Sequence, residues 1–108
     1  MTEEYNGWTN RETWATMLHI DNDQYLYETA KDYAVTALEE HSGEESEARY
    51  CLAETLENWF DTLAGDFTEL SFEVYSMLRD IGSLYRVDWW EIAEAFLSHI
   101  LEDEEVTA

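Results

Sequence analysis

Apolar residues recur at intervals of three and four along most of the chain, a period that predicts amphipathic helices. The sequence contains no proline and four glycines, and no stretch shows the strict alternation typical of a strand. The breaks in the pattern coincide with residues that cap or end helices, which divides the chain into five helical segments. We therefore predict an all-α fold, a compact bundle of about five helices in a single domain over residues 1–108, with frayed ends at about 1–5 and 103–108.

The first two predicted helices are separated by a short acidic turn. Thr9 and Glu12 have the spacing of a capping box, which predicts a first helix over about residues 10–20. The acidic turn at residues 21–23 then interrupts the pattern, and a second helix is predicted over about residues 23–40. The residues of this second helix that should face the core are Leu26, Ala30, Tyr33, Ala37 and Leu38.

The remaining three helices are predicted over about residues 44–64, 67–85 and 88–101, with Gly65 closing the third helix and Gly82 as an alternative, earlier end of the fourth. Asp88 and Glu91 form a second capping-box pattern at the start of the last helix. The positions expected to face the core are Ala48, Leu52, Leu56, Trp59, Phe60 and Leu63 in the third helix, Phe67, Leu70, Val74, Met77, Leu78, Ile81 and Tyr85 in the fourth, and Trp89, Ala93, Phe96, Leu97 and Ile100 in the fifth.

Charge is the property that sets this chain apart from an ordinary helical domain. Five Lys and Arg residues oppose 26 Asp and Glu residues, a formal net charge of -21, while 45% of the residues are hydrophobic and can form a core. Such a field repels nucleic acid and anionic membranes and attracts basic surfaces. We therefore predict a basic protein partner, with no direct binding of nucleic acid or membrane, and the composition leaves a homodimer open. The N-terminus lacks the basic and apolar regions of a secretion signal, and no apolar run reaches the roughly 18 residues of a membrane span, so we expect a cytoplasmic location.

The acidic residues are concentrated on the polar faces of four predicted helices. On a helical wheel the members of each group fall within roughly 40° on the second helix, about 80° on the third and about 60° on the fourth. These groups are Glu28, Asp32 and Glu39; Glu47, Glu54, Glu57 and Asp61; and Asp66, Glu69, Glu73 and Asp80, with Glu91, Glu94, Glu102 and Glu105 on the last helix. Many neighbouring acids lie four residues apart, where each like-charged pair costs about 0.2–0.5 kcal/mol. The tolerated repulsion requires an explanation.

Mimicry of a nucleic-acid backbone is one explanation. Duplex DNA carries one charge per roughly 1.7 Å of axis, so a net charge of this size corresponds to about 36 Å of duplex, near the width of a small domain. The acidic groups are therefore predicted to bind a Lys- and Arg-lined groove that normally holds DNA. Two alternatives remain. The acidity can suit a high-salt cytoplasm, where repulsion is screened and carboxylates keep proteins in solution, or the chain can be an adaptor or scaffold whose acids are ordinary polar faces of amphipathic helices.

No residue pattern points to an enzyme, a metal site or a cofactor. The stretch at residues 21–28 lacks the glycine and the spacing of a calcium-binding EF-hand loop. His19, His41 and His99 have no His or Cys neighbour at metal-ligand spacing in the sequence. The lone Cys51 lies among apolar positions, as expected of a buried, inert thiol. Carboxylates are too abundant for any pair to be singled out as a general acid and base, so we predict a non-enzymatic protein.

The opening stretch YNGWTNRETW, residues 5–14, is predicted to be a structural clasp, with a recognition site as the alternative. Thr9 and Glu12 would cap the first helix, and Trp8 and Trp14 would add large apolar surfaces to the core. Arg11, a rare cation in this chain, is expected to pair with an acid, in the region of Asp21 or Asp88.

The motifs NGWTNRETW, IDND and VDWWEIAEAFL resemble those of small acidic proteins of unknown function carried by phages, plasmids and archaeal mobile elements. The resemblance covers mainly residues 6–23 and 87–97. It implies no particular activity and transfers no functional residues. The mobile-element setting implies a mimic directed against host defence, such as a restriction enzyme or a CRISPR effector, because these proteins have basic nucleic-acid channels.

Overall fold

Five α-helices and one short 3₁₀ turn make up the computed structural model, which describes residues 7–41, 44–65 and 72–107, with the backbone alone at 72–73 and 102–107. The helices are α1 (Arg11–Asn22), α2 (Gln24–Glu40), α3 (Glu45–Gly65), α4 (Phe72–Ile81) and α5 (Trp89–Thr107), and the 3₁₀ turn is Leu84–Arg86. These ranges contain no β-strand. The predicted all-α bundle is confirmed.

The N-cap of α1 is Asn10, not Thr9 as predicted. The Oδ1 atom of Asn10 accepts a hydrogen bond from the Thr13 N–H at 2.9 Å. The Thr9 N–H, which a capping box would direct to Glu12, is instead donated to Glu91 Oε1 at 3.0 Å. Asn and Thr are both good N-caps, and the distant partner of Thr9 accounts for the choice between them.

The turn between α1 and α2 is shorter than predicted. Helix α1 continues through Asn22, and Asp23 is the one residue between the two helices. The Asp23 backbone is extended, with φ -113° and ψ 117°. Its side chain accepts a hydrogen bond from the Leu26 N–H at 3.1 Å, which starts α2. One capping aspartate is therefore sufficient to turn the chain.

Helix α4 is shorter than the predicted fourth helix, and the predicted core positions Phe67 and Leu70 lie outside the described residues. The helix ends at Ile81 because Gly82 has a φ of +89°, a conformation that residues with a Cβ rarely adopt. The chain then enters the 3₁₀ turn instead of continuing the helix. As a consequence Tyr85, which was expected in the core, is fully exposed at 101%.

Only one of the two hydrogen bonds of the capping box predicted before α5 is present. Asp88 Oδ1 accepts a hydrogen bond from the Glu91 N–H at 3.1 Å, whereas the Glu91 carboxylate bonds to Thr9 and not to Asp88. Helix α5 continues to Thr107, beyond the predicted end at residue 101. Helix α3 likewise includes Gly65, which was expected to close it.

Helices α2, α3 and α5 each contact the other two and form the centre of the bundle. Helix α1 packs against α2, α4 and α5. Three alanines of α2, Ala30, Ala34 and Ala37, are buried in the core. Because their side chains are small, the neighbouring helices can approach the α2 backbone closely.

A run of aromatic rings crosses the three central helices. Tyr33 of α2 meets Trp59 of α3 edge-on at 5.6 Å between ring centroids. Phe60 lies 5.1 Å from Trp59 and 5.2 Å from Trp89 of α5. Tilted and edge-on pairs of this kind each contribute about 0.5–1.5 kcal/mol beyond the burial of their surface. The aromatic run therefore fixes the relative positions of α2, α3 and α5.

In the part of the chain that the structure describes, no helix is both long enough and apolar enough to cross a membrane.

Candidate functional site

The opening stretch packs against the region that leads into α5. Trp8 and Trp14 are half-buried and lie against the hydrophobic core. Thr9 reaches Glu91, in the first turn of α5, across 82 residues of sequence. These contacts join the beginning of the described chain to α5, and the structural clasp stays a prediction.

A buried polar network joins α1 to the start of α5. Thr13 is fully buried; its Oγ1 accepts a hydrogen bond from the Asp88 N–H at 2.8 Å. The same hydroxyl donates to Asn10 Oδ1 at 2.7 Å, and Asn10 Nδ2 donates to the Arg86 carbonyl at 2.7 Å. Since each of these groups has a partner, the network stabilises the junction instead of burying unsatisfied polar atoms.

The two charged residues of the clasp form ion pairs with distant parts of the chain. Arg11 Nη2 lies 3.4 Å from Asp80 Oδ1 of α4, so its partner is neither of the acids suggested by the sequence. Glu12 Oε2 lies 3.0 Å from Arg86 Nε. Glu12 therefore binds the 3₁₀ turn in place of the predicted capping role.

The acidic side chains of α2 and α3 are all exposed. The two helices carry nine, namely Glu28, Asp32, Glu39, Glu40, Glu45, Glu47, Glu54, Glu57 and Asp61, and seven of these were predicted to bind a partner. The bases of the two helices are Lys31 and Arg49. Arg49 is directed away from them, with Nη1 3.0 Å from Glu94 of α5 and its guanidinium 4.9 Å from the Trp90 ring. The acids of α2 and α3 are thus poorly compensated, and we call this set the α2–α3 acidic surface.

Three other predicted partner-binding acids have partners within the chain. Asp80 contacts Arg11 and also lies 2.8 Å from His19 Nε2. Glu91 is half-buried and accepts the Thr9 N–H, and Glu94 pairs with Arg49. These carboxylates hold elements of the fold together, so among the described side chains the exposed acids outside these contacts lie mainly on α2 and α3.

The acidic group predicted on the fourth helix is described only in part. Asp66 and Glu69 lie outside the described residues, and so does the side chain of Glu73. The side chains of Glu102 and Glu105 are likewise outside the described set. By contrast, the predicted groups on α2 and α3 are described in full.

Asp21 occupies a cavity between α1 and α5 whose lining includes Tyr27 and His99. Burial raises the pKa of Asp21, and the nearby charge of His99 lowers it in part. Its neighbour Asp23 uses its carboxylate to cap α2. Asp23 therefore caps α2 between the two helices, and Asp21 belongs to the last turn of α1.

One set of potential metal ligands is brought together by folding and was missed in the sequence. Glu40, His41 and Cys51 each place a donor atom within 4.8 Å of the others. Cys51 is half-buried, not buried as expected. The pairing of α2 with α3 places the end of one helix beside the early turns of the next. If α2 and α3 had been predicted to pack side by side, this placement would have indicated the cluster from the sequence.

Comparison with known proteins identifies a family. The sequence model of a family described as "Family of unknown function (DUF7249)" matches residues 1–92. No curated protein and no solved structure matches the chain.

Proposed function

Because the chain belongs to this family of unknown function, we propose a function from the charge and exposure of its surface. The protein is a non-enzymatic polyanionic binder that mimics DNA and occupies the basic nucleic-acid channel of a host defence protein or another DNA-binding protein. The observation that carries the proposal is the α2–α3 acidic surface, on which all nine carboxylates are exposed. A basic groove is the complementary partner for such a surface.

The positions of the arginines support this proposal. Arg11, Arg49 and Arg86 neutralise carboxylates on α4, α5 and α1, respectively. Those ion pairs link elements of the fold, whereas on α2 and α3 the acids are left largely without cations. The arginines thus form ion pairs within the fold, and much of the uncompensated charge of the described side chains lies on two adjacent helices.

The charge density of α3 is comparable with that of a DNA strand. Its predicted acids extend from Glu47 to Asp61, a distance of about 21 Å at 1.5 Å per residue. Four charges over that length have a mean spacing of about 7 Å, against 3.4 Å of axis per charge in a single DNA strand. Helix α3 therefore has about half of the linear charge density of a strand.

The size of the protein also suits the proposal. Its principal extents are 42 × 38 × 22 Å, and one turn of duplex DNA spans about 34–36 Å. The broad face can therefore fill a groove that holds about one turn. Association would release counterions from the acidic surface and from the groove, so affinity should fall steeply as salt is added.

A charge-reversal experiment tests the proposal. Glu54→Lys combined with Asp61→Lys places two cations on the α2–α3 acidic surface. We expect this double variant to lose at least about ten-fold in its ability to displace DNA from a sensitive restriction endonuclease or CRISPR effector, because attractive contacts become repulsive. Competition would be measured by fluorescence anisotropy of labelled DNA over a salt titration.

Glu3→Lys combined with Glu4→Lys is the matched control, since it changes the net charge equally but lies before the described residues. We expect the control to retain most of the competition and circular dichroism to show unchanged helicity in both variants. If the unmodified protein fails to displace DNA from a panel of such enzymes even at low salt, the proposal is wrong. Equal losses in both double variants would show that net charge, and not the α2–α3 acidic surface, determines binding.

A further inference from the structure

A cluster of three different metal-binding side chains lies where the end of α2 meets α3. Glu40 is the last residue of α2, His41 caps its C-terminus, and Cys51 lies on α3. One donor atom of each lies within 4.8 Å of the donor atoms of the other two. Glu40 is exposed while His41 and Cys51 are half-buried, so an ion could reach all three from solvent.

The donor set determines which metal suits this cluster. A thiolate and an imidazole beside a carboxylate are ligands that Zn²⁺ accepts, whereas Mg²⁺ and Ca²⁺ select oxygen alone. Tetrahedral Zn²⁺ holds its N, O and S ligands about 3.3–3.6 Å apart. The donor atoms of the cluster would therefore have to close by about 1 Å, a movement within the reach of side-chain rotation at a partly exposed site.

A fourth donor lies next to the cluster. Glu47 Oε2 is 3.5 Å from His41 Nδ1. Glu47 and Cys51 are four residues apart on α3 and thus on the same side of the helix, a spacing that lets two side chains of one helix bind a single ion. Glu47 is not among the three residues whose donor atoms all lie within 4.8 Å of one another, so its side chain would have to rotate for its oxygen to complete four-fold coordination.

The electrostatic surroundings favour a cation at this position. The C-terminus of a helix carries partial negative charge, and α2 has no basic residue in its last turn. Glu39 and Glu40 add two carboxylates there. The Glu44 N–H donates a 2.8 Å hydrogen bond to the His41 carbonyl, which keeps Glu44 near the end of α2. A divalent cation would relieve the repulsion among these groups.

We propose that Glu40, His41 and Cys51, with Glu47 as the fourth donor, form a Zn²⁺ site that fastens the end of α2 to α3. Cys51 releases its thiol proton to solvent as the Zn–S bond forms, so affinity falls as pH decreases. Since the ion binds the folded arrangement, it also raises the stability of the helix pair. The site does not depend on DNA mimicry.

Titration of the full chain with Co²⁺ alone and with Zn²⁺ alone tests this site. With Co²⁺ we expect one equivalent to bind, with a thiolate-to-metal charge-transfer absorption and intense visible bands typical of tetrahedral coordination. Zn²⁺ should displace it, and Zn²⁺ should raise the melting temperature of the unmodified protein. Because the spectrum is recorded on the unmodified chain, it tests thiolate ligation even if a variant fails to fold.

Variants then assign the ligands. Cys51→Ser and His41→Gln should each weaken Zn²⁺ binding by at least about ten-fold and remove the melting shift, while Glu47→Gln should have a smaller effect. His19→Gln and Glu28→Gln are controls of the same chemistry outside the cluster and should leave the Zn²⁺ affinity and the Zn²⁺-induced melting shift unchanged. All titrations are repeated with excess Mg²⁺, which competes for loosely held ions around so acidic a chain.

The result that would overturn the proposal is Zn²⁺ binding that excess Mg²⁺ abolishes or that Cys51→Ser leaves unchanged. A Co²⁺ complex without a thiolate band would do the same. Any of these outcomes would mean that the ions occupy only the diffuse acidic surface. None of them would affect the DNA-competition test, so the two proposals can fail separately.

Discussion

At the scale of single residues, Thr13 joins two elements of the fold through the hydrogen bonds of one hydroxyl group. It lies fully buried in α1, and its hydroxyl both accepts from the Asp88 N–H and donates to Asn10. Asp88 is 75 residues away in sequence. The Thr13 hydroxyl thus joins the cap of α1 to the start of α5. We therefore expect its hydrogen bonds to contribute more to stability than the volume of the side chain does.

Thr13→Val keeps the shape of the side chain and removes the hydroxyl. We expect a loss of about 1–2 kcal/mol in the free energy of unfolding, because the partly buried Asp88 N–H loses its hydrogen-bond partner. The measurement is urea denaturation followed by circular dichroism. Thr62→Val is the matched control: Thr62 is exposed and bonds only to the Asn58 carbonyl of its own helix, so its change should stay within about 0.5 kcal/mol. Equal stability of the two variants would contradict the role assigned to the network.

At the scale of elements, two glycines end helices in different ways. Gly82 follows α4 with φ +89°, whereas Gly65 is the last residue of α3 and has no positive φ. A Cβ built on either glycine would meet no atom within 4 Å. The backbone conformation, and not the available space, therefore decides how an alanine at each position would change the stability of the fold.

Gly82→Ala and Gly65→Ala should consequently change stability in opposite directions. The first should destabilise the fold by about 1–2 kcal/mol, because an L-residue is strained at positive φ. The second should be neutral or stabilising by up to about 1 kcal/mol, since alanine is favoured over glycine in a helix. Thermal and urea unfolding of both variants would measure this. Destabilisation by both would show that the end of α3 also needs a glycine.

At the scale of the whole molecule, repulsion arising from a net charge of -21 acts against the free energy gained by burying the apolar core. The described core includes fully buried Leu52, Leu56, Phe60, Ile81 and Ile92. Each like-charged pair at a spacing of four residues costs about 0.2–0.5 kcal/mol, so the pairs in this sequence together cost about 1–2 kcal/mol. Repulsion of this size should lower stability without preventing folding.

We therefore expect the protein to be folded in 0.1 M KCl and its melting temperature to rise modestly with salt, levelling off once the Debye length falls from about 10 Å towards about 3 Å near 1 M. Scanning calorimetry over a KCl series would measure this. The uncharged double variant, Glu54→Gln with Asp61→Asn, should show a flatter dependence. A chain that is unfolded at low salt and gains stability continuously towards molar KCl would instead support adaptation to a saline cytoplasm.

Much of the architecture follows from local patterns. The period of the apolar residues predicted five helices, and residues such as Leu52, Phe60 and Phe96 are buried as expected. Asp23 and Asp88 start α2 and α5 because a carboxylate at these positions satisfies nearby N–H groups. The main error was the length of the fourth helix, because the continuous apolar period was followed to residue 85 and the alternative end at Gly82 was the correct one.

The candidate sites were less predictable, because they depend on contacts between distant residues. The sequence by itself determined the helical class, most of the buried faces of α2, α3 and α5 and the excess of negative charge, all of which arise from local periodicity and composition. Only the tertiary structure decided that Asn10 caps α1, that Asp80 and Glu94 are paired while the acids of α2 and α3 are largely not, and that Cys51 lies beside His41. Each of these depends on which helices are neighbours, a property set by packing of the whole chain and not by any one segment.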